Sequence, residues 1–312
     1  MEELNTTGHS QPEKSKSAAG SGSPSFYELQ GIEVTLGGQS ILREVHCILQ
    51  QGKWTSLIGP TGAGKSTLAR ICKGLIPEYA GEYRIDGVLA AKDRKGRARV
   101  QPDIGFVFQY PEHQIFETTV ERELGFALRM RGDSPCEIQA AISRILPRLG
   151  LGEELLAQSP LLLSGGQKRR IAIASVLIAE PKLLILDEPT AALDPLSRRE
   201  LLDLLHAWQR SEQRSVLFIS HRMEDVAEYS DRVLLLREGR LLGDLETNEL
   251  FLRRSELLAQ AGLALPESVQ LLQLIRELSD VDLQPASCRE DEIMRVVQEA
   301  WQERKGGRSC GK

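Results

Sequence analysis

The 312-residue chain is long enough for one large domain with an appendage, or for two domains, and its 41% hydrophobic share suits a globular protein with a real core. A net charge of -5 argues against a global basic field for nucleic acid, and no apolar run approaches the roughly eighteen residues of a membrane-spanning helix. The five cysteines are scattered without a C-x-x-C pair, which argues against a disulfide framework or a zinc site and fits a reducing compartment.

The opening Met1-Glu2-Glu3-Leu4 lacks the basic stretch and apolar core of a secretory signal. Residues 1–24 hold almost nothing apolar, so they cannot offset their ordering entropy and are expected to form a disordered tail. Over residues 26–36, Tyr27, Leu29, Ile32 and Val34 predict a strand with Gly31 as a candidate bulge. Gly37-Gly38 marks a turn, and residues 41–49 read as a second strand.

Trp54-Thr55-Ser56-Leu57-Ile58 reads as a short buried strand that runs into Gly59-Pro60-Thr61-Gly62-Ala63-Gly64-Lys65-Ser66-Thr67, a match to G-x-x-x-x-G-K-[ST]. Residues 66–73 read as a helix with Leu68, Ile71 and Leu75 on one side, stopped at Gly74. This strand–loop–helix context is what a phosphate-binding loop requires. Glycines let backbone N–H groups turn inward around a polyphosphate, and the helix start adds partial positive charge. Lys65 is placed to reach the terminal phosphates, and the Ser66 hydroxyl to ligate Mg²⁺.

Residues 83–87 read as a strand entering a turn. The basic run over 92–99 reads as a solvated loop, since no aromatic residue interleaves with it. Residues 104–108 form an apolar strand ending at Gln109. Helical spacing dominates 120–131 and 137–149, with Ser134 a candidate cap and Pro135 at the first helical position of the second. After Leu163-Ser164-Gly165-Gly166-Gln167 comes a helix with Ile171, Ala174, Ser175 and Ile178 on one face, ended by Pro181.

Residues 183–186 are fully apolar, as a central parallel strand should be, and lead into Asp187-Glu188-Pro189. Leu201, Leu204, Leu205 and Trp208 make an i, i+3, i+4, i+7 stripe. Residues 216–219 predict a strand ending at Ser220-His221, and 233–236 another, followed by the turn Glu238-Gly239 and a short return strand to Leu242. Strands alternating with helices predict an α/β fold with strand C-termini facing one ligand crevice.

Past about Asn248 no buried strand is predicted. Two helical stripes are: Leu271, Leu272, Ile275 and Leu278, then Ile293, Val296, Val297, Ala300 and Trp301. The expected organisation is a tail over 1–24, a nucleotide-binding domain over 25–248, a helical domain over 249–305 and a frayed end over 306–312.

Five features stand in fixed order: the phosphate loop, Gln109 after a strand, Leu163-Ser164-Gly165-Gly166-Gln167, Leu186-Asp187-Glu188, and His221 after a strand. Together they resemble the nucleotide-binding subunit of an ATP-binding-cassette (ABC) transporter, over roughly residues 26–245. The resemblance implies an ABC-type P-loop ATPase domain with a mixed-sheet core, an antiparallel β subdomain and a helical signature subdomain, here with a small helical C-terminal appendage.

An acidic residue at the end of an apolar strand beside a phosphate loop suits Mg²⁺, which assigns Asp187, and the next carboxylate, Glu188, suits activation of water. Two adjacent carboxylates there are costly unless a metal or polar ligand compensates. His221 is placed to touch the γ-phosphate; Gln109 is assigned to Mg²⁺ or water by the resemblance. Ser164-Gly165-Gly166, with Gln167, opens a helix and so makes a second anion site. In the family that peptide closes over the phosphate loop of a second subunit, with two ATP at the joint. Ala191-Ala192-Leu193-Asp194 resembles the loop that crosses this joint, and Leu36 stands where an adenine-stacking aromatic is common.

Phe108-Gln109-Tyr110-Pro111-Glu112-His113-Gln114-Ile115-Phe116, then Thr119-Val120-Glu121, is similar to the matching segment of energy-coupling factor (ECF) ATPases, as is Gly262-Leu263-Ala264-Leu265-Pro266 before an apolar helix. His113 has no second ligand cluster at metal spacing. The ECF resemblance implies ATP-driven uptake of a vitamin or transition-metal ion from the cytoplasmic face of the membrane. It also implies three partners: a second ATPase subunit, identical or related, a transmembrane coupling subunit docked along 109–116, and a separate substrate-binding membrane subunit. Another ABC importer or exporter ATPase is the alternative in the same class. A soluble non-transport cassette regulator is the alternative outside it, and one phosphate loop with no long heptad stretch argues against that. A cassette that binds but no longer hydrolyses ATP is disfavoured by the presence of both Glu188 and His221.

Overall fold

A computed structural model describes residues 26–278 and 283–307. The tail expected over 1–24 lies outside the described residues, as do 308–312. The described residues open with β1 (Phe26–Leu36) and β2 (Gln39–Gln50), an antiparallel pair whose register shifts beside Gly31. Then come β3 (Trp54–Ile58), α1 (Lys65–Lys73), β4 (Ala80–Ile85), β5 (Val88–Leu89) and β6 (Ile104–Val107). A helical segment follows: α2 (Val120–Arg131), α3 (Pro135–Arg148) and α4 (Gly165–Leu177). Next are β7 (Leu183–Asp187), α5 (Pro195–Glu212), β8 (Ser215–Ile219), α6 (Met223–Tyr229), β9 (Arg232–Arg237) and β10 (Arg240–Glu246). The last described elements are α7 (Thr247–Arg253), α8 (Glu256–Gln260), α9 (Glu267–Leu278) and α10 (Glu290–Gly307).

The strands form two sheets, an antiparallel one ordered β2-β1-β4-β5 and a mixed one ordered β10-β9-β3-β8-β7-β6. In the second, β6, β7, β8, β3 and β9 run parallel and β10 returns antiparallel. The parallel strands therefore release their C-terminal ends along one edge, where ligands bind in open α/β sheets.

Strand periodicity of two sorts the core. On β7, Leu183 and Ile185 face the antiparallel sheet, while Leu184 and Leu186 face the helical layer of α2 to α5. On β9, Leu234 and Leu236 join the inter-sheet core, while Val233 and Leu235 meet the C-terminal helices. One sheet thus anchors three apolar clusters. The α7–α10 segment packs Leu250, Phe251, Leu258 and Val269 against Ile58 and Val233, so the last helices share a core with the sheet.

Local chemistry explains the helix ends. Ser134 and Glu137 form a reciprocal capping box at α3, with Pro135 in the first turn. Gly74 caps α1 in the left-handed region, and a Cβ there would meet the Arg99 carbonyl oxygen at 2.0 Å.

Several sequence expectations need correction. Leu75 lies beyond the Gly74 cap and is 38% exposed, so it leaves the face of Leu68 and Ile71. The return strand runs past Leu242 to Glu246. Helix α4 is apolar most of the way round, with Ala172, Ile173 and Leu177 buried as well as Ile171 and Ala174, and it ends before Pro181. On α5, Leu202 is buried and Leu204 only half-buried. On α9 the inward residues are Val269 and Leu272, while Leu278 is 76% exposed. On α10 Ile293 is buried, whereas Trp301 is 61% exposed. Helix α10 is described as far as Gly307.

Candidate active site

The phosphate loop joins β3 to α1 and is shaped by close approach. A Cβ on Gly59 would meet the Leu236 carbonyl oxygen at 2.0 Å, and one on Gly64 the Leu42 Cδ2 at 2.7 Å. Gly62 has φ +81 with nothing within 4 Å, so its requirement is conformational only. Lys65 is buried and donates from Nζ to the carbonyl oxygens of Gly59 at 2.7 Å and Pro60 at 3.0 Å. Burial pushes its pKa down, opposed by the charges of Glu188 and Asp187. Pro60, Thr61 and Thr67 are at least partly exposed along the loop, and Ala63 is buried beneath it.

The strand ends assemble two clusters. Ser66 Oγ donates to Asp187 Oδ1 at 3.0 Å, so a hydroxyl and a carboxylate already share one corner beside Lys65. Two hard oxygen donors suit Mg²⁺, which binds through one or two protein oxygens and keeps its waters. Burial raises the Asp187 pKa above the ordinary carboxylate range, the Ser66 hydrogen bond lowers it, and Glu188 raises it further.

The second cluster centres on Glu188, just past β7. Its Oε1 lies 2.9 Å from Nε2 of His221, past β8, and its Oε2 accepts from Nε2 of Gln109, past β6, at 3.3 Å. Adjacent parallel strands bring these three together from positions 79 and 33 residues apart in sequence. Gln109 therefore sits on Glu188 rather than on the Ser66–Asp187 corner. Glu188 itself has φ 52, in the left-handed region, with its N–H donating to the Ile219 carbonyl oxygen at 3.1 Å.

The Ser164 peptide stands apart. Ser164 and Gln167 form a capping box at α4, with Gln167 N–H donating to Ser164 Oγ at 3.3 Å and Ser164 N–H to Gln167 Oε1 at 3.0 Å. Ser164, Gly165 and Gly166 are exposed, and a Cβ on either glycine would meet nothing within 4 Å. The box uses the third-position amide and leaves those of Gly165 and Gly166 facing outward. Among the described residues, Ser164 makes no hydrogen bond to residues 59–67.

Leu36 is 43% exposed at the end of β1, so it offers an apolar surface and is not core. Arg169, outside every motif read from the sequence, forms an ion pair at 2.8 Å with Glu112 beside this site, the guanidinium buried and the carboxylate half-buried. Among the described residues no trio of His, Cys, Asp or Glu is arranged to hold a metal, and no helix is long and apolar enough to cross a membrane.

A carboxyl whose folded pKa is raised lowers stability above that pKa and relieves it as pH falls. Asp187→Asn is expected to raise Tm by about 1–4 °C at neutral pH. The gain should shrink toward the ordinary carboxylate pKa of about 4. Turnover should fall sharply at the same time. Paired thermal melts at the two pH values check this.

The fold and these clusters define an ATPase of the ABC class. A family model described as ABC transporter matches residues 42–191. The chain is 45% identical over 239 residues to the energy-coupling factor transporter ATP-binding protein EcfA2 of Symbiobacterium thermophilum, covering 76% of this chain and 81% of that relative. It is similar in structure to cbiO1 of Clostridium perfringens, described as part of the ABC transporter complex cbiONQ, with TM-score 0.68, 31% identity, and coverage of 79% and 98%. It is also similar to a dimeric ATP-binding cassette in a post-hydrolysis state bound to ADP and Pi, with TM-score 0.61, 25% identity, and coverage of 71% and 98%. The chain belongs to the family of ECF transporter ATP-binding proteins.

Proposed function

We propose that this ATPase powers transmembrane uptake of a micronutrient, a vitamin or a transition-metal ion, by closing as an ATP-bound dimer against a membrane partner. The observation that carries the reading is the convergence of Gln109, Glu188 and His221 on one edge, beside Lys65 and the Ser66–Asp187 corner. In this reading Lys65 and the loop amides hold the phosphates of ATP, and Glu188 takes a proton from the attacking water. His221 and Gln109 orient that carboxylate. Mg²⁺, held by Ser66 and Asp187, would neutralise charge on the phosphate oxygens.

The outward tip at Ser164, Gly165 and Gly166 is built for an anion it does not meet within its own chain. A second ATPase subunit supplies that anion, head to tail, and two equivalent contacts result. Residues 25–248 act as the ATPase domain, with 249–305 as its helical appendage. The protein works peripherally at the cytoplasmic face of the membrane, with a transmembrane coupling subunit and a separate substrate-binding membrane subunit.

The coupling contact is assigned to the segment after Gln109 and the adjoining face of α2. Phe116 is 64% exposed and packs edge-on to Phe126 at 4.8 Å, and Met130, one turn along α2, is 74% exposed. The Phe116 and Glu117 amides both donate to the buried Glu123 carboxylate, at 3.2 and 3.0 Å, which fixes this surface. Ile115 packs half-buried against the helical core, so it is support and not contact. Phe116→Ser with Met130→Ser is expected to abolish co-purification with the membrane subunit and to spare ATP binding. Retained co-purification in a pull-down from detergent-solubilised membranes would defeat the docking assignment. A purified membrane assembly that released no phosphate from ATP would defeat the transport reading itself.

A further inference from the structure

Arg169 lies on α4, five residues past Ser164, and its side chain is 5% exposed. Its donors serve two neighbours. Nε donates to Glu112 Oε2 at 2.9 Å and Nη2 to Glu112 Oε1 at 2.8 Å, a fork on a carboxylate. Nη1 donates to the Ala191 carbonyl oxygen at 2.9 Å.

These contacts reach both catalytic segments. Glu112 sits in the 3₁₀ turn Pro111–Gln114, immediately after Gln109 and Tyr110. Ala191 lies just downstream of Glu188, and its N–H donates to the Glu188 carbonyl oxygen at 3.2 Å. One buried guanidinium thus joins the Ser164 helix, the Gln109 segment and the loop leaving Glu188.

The backbone it braces is strained at both ends. Tyr110, Glu188 and Ala192 all have positive φ, at 57, 52 and 61. Such conformations persist only where surrounding contacts over-determine them. Burial alone would raise the Glu112 carboxyl, but the hydrogen bonds and charge of Arg169 reverse this and hold it below its usual value. Separating the pair would strand a buried charge, so the three segments are bound to shift together.

We propose that Arg169 is a positioning residue for hydrolysis: it keeps Glu188 in register with Gln109 and with the Ser164 helix, so turnover depends on it while ATP binding does not. The proposal rests on Glu188 as the water-activating group.

The test uses the full-length chain in its ATP-hydrolysing assembly, with kcat expressed per ATP-binding site. Misplacing a reacting group by about 1 Å costs on the order of 10²-fold, so Arg169→Met should lower kcat by about 30–100-fold with KM for ATP within about threefold. Arg169→Lys keeps the charge but cannot fork onto Glu112 and reach Ala191 at once, so it should restore only part of the rate. Glu112→Gln is isosteric and should cost about 3–10-fold, which keeps the proposal testable if the Met variant fails to fold. A kcat per binding site within about twofold of wild type in the folded variants overturns the proposal, as does a raised KM with unchanged kcat. Glu188→Gln is run alongside. Loss of turnover there with normal turnover in the Arg169 variants sinks the positioning role alone, and normal turnover in Glu188→Gln sinks the reading beneath it.

Discussion

Glu188→Gln is expected to lower ATP turnover by about 10²–10⁴-fold, the usual contribution of a positioned general base. The reason is chemical and not structural. The carboxylate is held from both sides, by His221 at 2.9 Å and Gln109 at 3.3 Å, and glutamine fills the same volume. What it lacks is an oxygen able to take a proton. ATP binding, which rests on the loop around Lys65, should persist, and the ATP-bound dimer should accumulate because the step that dissolves it is blocked. Phosphate release and size-exclusion chromatography with ATP read the two halves of this expectation. Normal turnover would remove Glu188 from its assigned role.

Lys65→Ala is expected to weaken ATP binding by roughly 10–150-fold, which corresponds to the loss of about 1.5–3 kcal/mol for a charge-assisted contact to phosphate. The same ammonium donates to the Gly59 and Pro60 carbonyls, so the substitution also removes the internal brace of the loop. A titration with a fluorescent ATP analogue gives the affinity. A thermal melt without nucleotide separates the bracing effect from the ligand contact. Affinity within about twofold of wild type would show that the loop amides suffice without the lysine.

Much of this site was legible in the chain because its parts are local. A phosphate loop is set by spacing alone, and Asp187, Glu188 and His221 each end a run of apolar residues that only a buried parallel strand explains. Parallel pairing then does the assembly, since adjacent strands ending at one edge must bring their next residues together. Arg169 was not legible in this way. It sits between Lys168 and Arg170 in what reads as a solvated basic run. The helical advance of about 100° per residue turns it inward while its neighbours stay partly exposed. The only sequence signal was a cation flanking an apolar helix, which is common.

The fold shows the same division. The strand over Trp54–Ile58 and the helix over Val120–Arg131 were readable from pattern and caps. In α9 the consecutive leucines at 271 and 272 allow two overlapping stripes, and spacing cannot choose between them; Val269 and Leu272 win because they meet Leu250 and Phe251. The helices α7 and α8 are too short to show a period.

The left-handed backbone at Glu188 carries a wider implication. A side chain with a Cβ is held there at a cost of about 1–2 kcal/mol that glycine would avoid. Next to it, Asp187 carries a charge that its surroundings resist. Heat resistance and chemistry therefore pull neighbouring positions in opposite directions. A laboratory selection that rewarded survival of heating alone would drift toward Gly at 188 and Asn at 187, and would return a sturdier molecule that no longer spends its fuel.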